Sequence, residues 1–170
     1  DFVPSRGLGD VYKRQNTNTY IYSGPSSNPW LRAHNLFIDD RGYAYIFGAN
    51  RGVGGAIILD LNQDPTQPVE VADINNWEVH DGMVKGDTLF LAHAGNSIFS
   101  IWDVSNPANP LLLGQNQTVG YYSHNIWASD DGEYIYTTEE DNGGYLSEFK
   151  ITDFNNICLL YTSPSPRDGT

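Results

Sequence analysis

The sequence is poor in cysteine, in basic side chains and in long apolar runs. Cys158 is its one cysteine, which excludes an internal disulfide framework and any metal motif built from cysteine. Its 9 lysine and arginine residues face 21 aspartate and glutamate residues, which gives a net charge of −12. This balance argues against nucleic acid as a partner, because few side chains would neutralise phosphates. No apolar run is long enough to span a bilayer, so no transmembrane segment is expected.

The residues that are abundant favour strands and tight turns. The 170 residues include 4 tryptophans, 11 tyrosines, 7 phenylalanines, 17 glycines and 9 prolines. Aromatic residues are enriched in strands, whereas glycine and proline are enriched in turns. No segment of useful length has a helical period. The composition therefore predicts an all-β fold, and the length suffices for one domain with a real core.

One layout of residues occurs three times. His34, His80 and His124 are each followed by Asn or Asp, a short apolar strand, a turn and further strands rich in Tyr, Ile and Phe. The repeats cover about 34–74, 79–115 and 123–153, a period in the forties. Four short strands at this period are typical of a β-propeller blade. We predict a β-propeller fragment of about three four-stranded blades and, because closed propellers have at least four, a longer parent chain.

The strands themselves can be placed from the alternation of apolar residues and from the turn residues between them. A short strand at 20–22 is expected to end an earlier blade. The strands predicted within the three repeats are 35–38, 43–47, 56–59 and 69–74; 82–84, 88–93, 97–102 and 111–114; and 125–128, 134–138 and 145–151.

The two ends of the chain differ from the middle. Residues 1–15 and 158–170 lack alternation, and the strings GDVYKRQ and CLLYTSPSPRD resemble translated sequencing-adapter sequence. We interpret both as non-native tails, which belong outside fold reasoning; genuine disordered termini are the alternative. Residues 16–157 are then the partial propeller.

The motifs of the middle region resemble a known family. AHNLFID, GYAYIFG, GGAIILDL, VHDGMV, IWDVSNPANP and YYSHNIWASDDGEYIYTTEE are similar to LVIVD-repeat propellers and, within them, to the choice-of-anchor B family, over residues 20–153. The resemblance implies a bacterial β-propeller that is extracellular or attached to the cell envelope through a variable C-terminal module absent from this chain. It implies no particular activity. Lys150 departs from the pattern, since it stands where the third repeat should have Asp.

Three of the four histidines occupy one position of the repeat, which suggests a metal site. Equivalent positions in a propeller lie at similar radius and height, so His34, His80 and His124 are expected at the mouth of the channel if the first strands are innermost. Converging neutral imidazoles suit a divalent transition metal (zinc, copper or iron), with Asp81 or Glu139 as a carboxylate partner. A metal with an open position can activate water or bind oxygen.

The alternative is that each histidine hydrogen-bonds to an aspartate of its own blade, as in WD-repeat proteins. The pairs would then be His34 with Asp60 and His80 with Asp103. Two observations weigh against this: the third repeat keeps its histidine without the aspartate, and both aspartates can instead cap the turns that follow them. Both interpretations stay open at this point.

Aromatic residues close to the histidines in sequence offer a second kind of site. Trp77, Tyr122 and Trp127 could form a wall that binds a sugar or a peptide, although packing within and between blades is the alternative use. The fourth histidine, His93, has no counterpart in the other repeats and is expected to be a half-buried strand residue or to lie at the rim.

These observations lead to three functional hypotheses. The first is an extracellular or cell-surface binding module whose channel mouth takes an unidentified small molecule, glycan or protein. The second is a metal-dependent hydrolase or oxidase that uses the histidine cluster. The third is a purely structural envelope protein.

Overall fold

The computed structural model describes residues 19–142 and 144–164, which contain three four-stranded antiparallel sheets. Each sheet corresponds to one sequence repeat, except that the fourth strand of the third sheet lies beyond the third repeat. The first sheet consists of β1 (Asn35–Ile38), β2 (Tyr43–Phe47), β3 (Ala56–Asp60) and β4 (Val69–Ile74); the second of β5 (Asp81–Lys85), β6 (Thr88–His93), β7 (Ile98–Asp103) and β8 (Leu111–Gln117); the third of β9 (Ser123–Ala128), β10 (Tyr134–Glu139), β11 (Tyr145–Lys150) and β12 (Cys158–Pro164).

The sheets are arranged as consecutive blades around one axis. Within each sheet the spatial order of the strands equals their order in sequence, as in a meander. The first strands of neighbouring sheets meet, because β1 contacts β5 and β5 contacts β9. These three strands are therefore innermost, and each following strand lies farther from the axis. This confirms the predicted fold class, a β-propeller fragment of three four-stranded blades.

The core lies between the blades. Tyr45 and Leu89 belong to the buried cluster between the first and second blades, and Phe99, Ile135 and Phe149 to the cluster between the second and third. The rings of Phe99 and Phe149 meet edge to face with their centroids 4.9 Å apart. Strands that are covered on both faces read as continuous apolar runs, which explains the sequence AIIL in β3.

The strands predicted within the three repeats are all present, with ends that shift by a few residues. The prediction of a strand at 20–22 is wrong, because the structure assigns no strand to these residues. This segment folds back on itself instead: the Trp30 amide donates to the Ser23 carbonyl at 2.8 Å, and the Trp30 ring meets the Tyr22 ring edge-on. Within the described ranges, no helix is long and apolar enough to cross a membrane.

The last strand lies in a segment that the sequence analysis interprets as a non-native tail. β12 pairs with β11 from Cys158, opposite Lys150, to Pro164, opposite Tyr145, with an irregularity in register between Glu148 and Phe149. It therefore takes the position of the outermost strand of the third blade. The origin of this segment stays a prediction, and the other proposed tail, residues 1–15, lies outside the described residues.

A buried histidine at the end of β6 hydrogen-bonds to the segment before β5 and to β7. His93 is fully buried, more than the sequence analysis expects, because it shares a face of β6 with the core residues Leu89 and Leu91. Its Nδ1 lies 2.9 Å from the Glu78 carbonyl, and its Nε2 lies 2.7 Å from the Ser100 hydroxyl. A carbonyl only accepts, so Nδ1 carries the proton and Nε2 accepts from Ser100. Burial lowers the pKa of His93 from 6.5 to about 4.

This network predicts that acid destabilises the fold through His93. The folded pKa of about 4 lies below the ordinary value of 6.5, so the unfolded chain takes up the proton first as the pH falls. The contribution of neutral His93 to the free energy of unfolding is complete above pH 6.5, and about 3 kcal/mol of it is lost as the pH falls towards 4. His93→Gln, which cannot ionise, is expected to be less stable at neutral pH but to lose this pH dependence.

Urea unfolding across this pH range measures the effect, with Val53→Gln as the control because that side chain is 50% exposed and cannot ionise. The control should keep the slope of the parent chain. Equal slopes for His93→Gln and the parent chain would show that His93 does not couple protons to folding.

Candidate functional site

The three repeat histidines meet at the entrance of the channel. Each stands immediately before or at the start of an innermost strand, and the backbone amides of His34 and His80 extend the pairing by donating to the Phe47 and Ala92 carbonyls. Because the innermost strands touch, the side chains at this position converge. The ring centroids of His34 and His80 are 3.9 Å apart, and those of His80 and His124 are 4.6 Å apart.

A glycine makes the close approach of the first two blades possible. Gly48 follows β2 and has a positive φ of 61°, which favours glycine. A Cβ at this position would lie 2.8 Å from the Cβ of His34 and 2.9 Å from the Val79 carbonyl oxygen. Any side chain at this position would therefore push His34 away from the start of the second blade.

A hydrogen bond between blades fixes the tautomer of the central histidine. Nδ1 of His80 lies 2.9 Å from the backbone carbonyl of His124, which can only accept. In the neutral imidazole, Nδ1 therefore carries the hydrogen and Nε2 has a free lone pair. This is the arrangement found in most histidines that bind metals, in which the nitrogen that is not a ligand donates to a carbonyl or carboxylate.

A carboxylate completes the cluster. Oε2 of Glu140 lies 3.4 Å from Nε2 of His124 and 4.0 Å from Nε2 of His80. One ligand atom from each of these three residues lies within 4.8 Å of the others. Bonds of about 2.1 Å to a tetrahedral metal separate neighbouring ligand atoms by roughly 3.4 Å, so the cluster is near this size. The His34 ring contacts the His80 ring at a tilt of 45°, and His34 is not among these three residues.

The aspartates of the alternative interpretation have other roles. Asp60 accepts from the backbone amide of Asn62 at 2.8 Å, and Asp103 accepts from that of Ser105 at 2.8 Å, so both cap the turns after their strands. β1 and β3 run in the same direction, which places the end of β3 away from the start of β1. His34 and Asp60 therefore lie at opposite ends of the first blade.

The structure does not bring Glu139 to the imidazoles; the next residue, Glu140, is there instead. Glu139 ends β10 with its side chain buried, and its Oε2 accepts from the Tyr122 backbone amide at 3.0 Å. Burial raises the pKa of Glu139, and the nearby charge of Asp141 raises it further. Neighbouring residues of a strand point to opposite sides, so the Glu139 carboxylate is buried while the Glu140 carboxylate is exposed beside the imidazoles.

Asp81, the other predicted carboxylate, belongs to a layer next to the histidines along the axis. It accepts hydrogen bonds from the side-chain amides of Asn35, at 2.8 Å, and Asn125, and also from the Gly82 backbone amide. Asn35, Asp81 and Asn125 each follow the histidine of their repeat. The innermost strands therefore present two polar layers, and Asp81 joins all three blades without being part of the histidine cluster.

Only one of the three predicted aromatic ligands lies at the channel mouth. The Tyr122 ring meets the His80 ring edge-on, with centroids 5.6 Å apart. Trp77 packs against the core and lies 5.3 Å from the buried His93 ring. Trp127 is 55% exposed and pairs with Tyr136 on β10. The three side chains do not form one wall.

A cavity of 320 Å³ opens beside the histidines. His34, His80 and Tyr122 line it together with Arg32 and Glu78. Arg32 and Glu140 are not among the site residues predicted from the sequence. Arg32 has a sequence signal, because it is the one basic residue between residue 15 and the first repeat. Glu140 has one too: the face of β10 that carries Ile135 must be buried, and alternation places Glu139 on that face and Glu140 on the other.

Comparisons with known proteins support the fold. No family model matches the chain, and no curated protein matches it. A periplasmic gluconolactonase from Pseudomonas aeruginosa superposes with a TM-score of 0.66 at 16% identity, over 84% of this chain and 45% of that protein. A functionally unknown protein from Desulfotomaculum acetoxidans gives 0.62 at 17% identity, over 82% and 46%, and a hypothetical selenium-binding protein from Sulfolobus tokodaii gives 0.58 at 15%, over 81% and 42%.

This chain has a β-propeller fold. It spans less than half the length of each of these structures. At such identities the likeness concerns the fold alone.

The Asp81 layer predicts a measurable effect of one side chain on stability. Asp81→Ala removes the shared acceptor of the Asn35 and Asn125 amides, and water can replace it only in part, so the free energy of unfolding should fall by about 1 kcal/mol. Urea unfolding measures this, with Asp130→Ala as the control, because Asp130 makes only an exposed ion pair with Lys85 at 3.7 Å. Equal stability of the two variants would contradict a structural role for this layer.

Proposed function

We propose that the chain is part of an extracellular or envelope-attached β-propeller that binds a divalent transition metal at the mouth of its channel. His80, His124 and Glu140 are the ligands, and the metal presents its remaining coordination positions to a small molecule. The observation that carries the proposal is the hydrogen bond from His80 to the His124 carbonyl, which directs the free lone pair of His80 to the same side as the Glu140 carboxylate.

The donor set supports a transition metal rather than calcium or magnesium. Two imidazole nitrogens and one carboxylate oxygen suit zinc, copper or iron, whereas calcium and magnesium prefer oxygen ligands alone. The same contacts without a metal would be an exposed ion pair between Glu140 and protonated His124. Such a pair contributes little to stability, and the metal titration described below separates the two cases.

The location and family of the parent protein are part of the same proposal. The motif resemblance to LVIVD-repeat propellers of the choice-of-anchor B type supports a secreted protein with a separate anchoring module. In that setting the channel mouth is a binding surface for molecules outside the cell. Tyr122 and His34 form the wall next to the metal, since both line the 320 Å³ cavity.

A metal-dependent hydrolase is the second candidate function. Three protein ligands that leave a position open are typical of catalytic zinc sites, in which bound water becomes a nucleophile at neutral pH. The cluster offers three ligands, and the adjacent cavity gives room for a substrate. Loss of both metal and hydrolysis in one variant would favour this function over binding alone.

The metal site predicts a specific loss of affinity. Glu140→Gln removes the anionic ligand from an exposed position, so the fold should persist. Zinc affinity should fall by about 100-fold, because loss of a residue that only hydrogen-bonds to a metal ligand already lowers affinity by about 10- to 100-fold. His80→Ala should have the same effect. Isothermal titration of the metal-free chain with zinc measures the affinity.

The matched control for this titration is Glu133→Gln, which removes an exposed carboxylate from the turn before β10. It should bind zinc as tightly as the parent chain. If all four proteins bind zinc equally, or if the parent chain binds none, the contacts at the channel mouth are those of an ion pair and the proposed function is wrong.

A further inference from the structure

One basic side chain stands apart from the others. Five lysines and arginines lie in the described residues, and four of them have partners: Arg41 with Asp39 and Asp87, Arg51 with Glu70 and Asp73, Lys85 with the Ser129 carbonyl, and Lys150 with the ring of Tyr134. The fifth is Arg32. Its guanidinium makes no hydrogen bond or ion pair with another described residue, although the chain carries a net charge of −12.

The backbone of Arg32 is held in place at the channel mouth. The Arg32 amide donates to Oδ1 of Asn50 at 3.0 Å, and the Asn50 amide donates to the Arg32 carbonyl at 3.0 Å. This clamp fixes the residue against the loop between β2 and β3. Arg32 lines the same 320 Å³ cavity as His34 and as His80, one of the three proposed metal ligands.

With a divalent metal on His80, the charges at this cavity favour an anion, whereas Arg32 alone only balances Glu78. Arginine stays protonated at every physiological pH, and its planar group fits the two oxygens of a carboxylate or phosphate. A chain with so many acidic residues repels anions elsewhere on its surface, so an unpaired arginine creates a local exception. A divalent metal on His80 would add to the positive potential, and Glu78 is the one acidic residue in the lining.

We propose that the channel mouth binds a small molecule with an oxyanion group, a carboxylate or a phosphate. Arg32 binds the oxyanion, and a further oxygen of the same molecule occupies an open position on the metal. This inference rests on the proposed metal site and adds to it the class of ligand. The cavity volume of 320 Å³ lies at the lower end of ligand pockets, which run from about 300 to 1,000 Å³, so the ligand has the size of a hydroxy acid or a sugar phosphate.

The test uses the chain loaded with cobalt(II), whose visible absorption reports changes in its ligands. L-Lactate and glycerol phosphate are the two oxyanion probes, and lactamide is the uncharged counterpart of lactate. Each is titrated into the parent chain, Arg32→Gln and Lys150→Gln by calorimetry and by absorption. Lys150→Gln is the matched control, because it removes one positive charge from β11, outside the cavity lining.

We expect cobalt to bind all three proteins equally. At least one oxyanion should bind the parent chain and Lys150→Gln alike and shift the cobalt spectrum, while Arg32→Gln binds it about tenfold more weakly, or worse, because charge-assisted hydrogen bonds are lost. Lactamide should bind the parent chain about tenfold more weakly than lactate or not at all. The tighter of the two oxyanions identifies the group.

Two results would overturn the inference and leave the metal site intact: cobalt binds but neither oxyanion does, or oxyanion affinity is the same in Arg32→Gln as in the parent chain. A third result, equal affinity for lactate and lactamide in every protein, would also overturn it for carboxylates if glycerol phosphate does not bind. Failure of cobalt to bind the parent chain would reject the proposed function and this inference with it.

Discussion

The contact between the innermost strands is the constraint on which the rest of the structure depends. β1, β5 and β9 meet around the axis, so residues at one position of the repeat become neighbours although more than forty residues separate them in sequence. Packing between the blades then fixes their height and orientation. The apolar clusters on either side of the second blade hold the strands in register, and the polar groups at the axis follow from that register.

The two polar layers at the axis have different chemistry. In one layer, the Asp81 carboxylate accepts from the amides of Asn35 and Asn125, so both of its oxygens are hydrogen-bonded within the protein. In the other, the imidazole of His80 donates through Nδ1 and leaves Nε2 free beside His124. The Asp81 layer therefore links the three blades, whereas the histidine layer leaves nitrogen atoms available as metal ligands. This difference supports a functional role for the histidines and a structural role for the layer beside them.

Much of the fold follows from the sequence because it is a repeat of local patterns. The spacing of the histidines and the alternation of apolar residues predict the blades and nearly all their strands. The segment at 20–22 misleads because alternation of apolar residues does not show that the chain turns back on itself at Trp30. The full burial of His93 is missed for a similar reason. Alternation places His93 on the same face of β6 as Leu89 and Leu91, but it does not show that Ser100 on β7 supplies a hydrogen bond there.

The site is harder to predict than the fold because it depends on single residues rather than on patterns. Repeat position alone brings the three imidazoles together. Repeat position does not show which of the neighbours Glu139 and Glu140 lies beside the imidazoles. That depends on where β10 ends and on which of its two faces is buried. That Arg32 has no side-chain partner among the described residues depends on which acidic side chains bind the other basic residues, and only the folded chain shows those pairs.

The most direct test of this account is X-ray absorption at the zinc edge of the chain after zinc loading and removal of excess metal. The account predicts one zinc per chain with a first shell of two imidazole nitrogens and one or more oxygens at about 2.0–2.1 Å. Retained zinc with an oxygen-only shell, or no retained zinc, would contradict the claim that the propeller axis assembles a metal site from His80, His124 and Glu140.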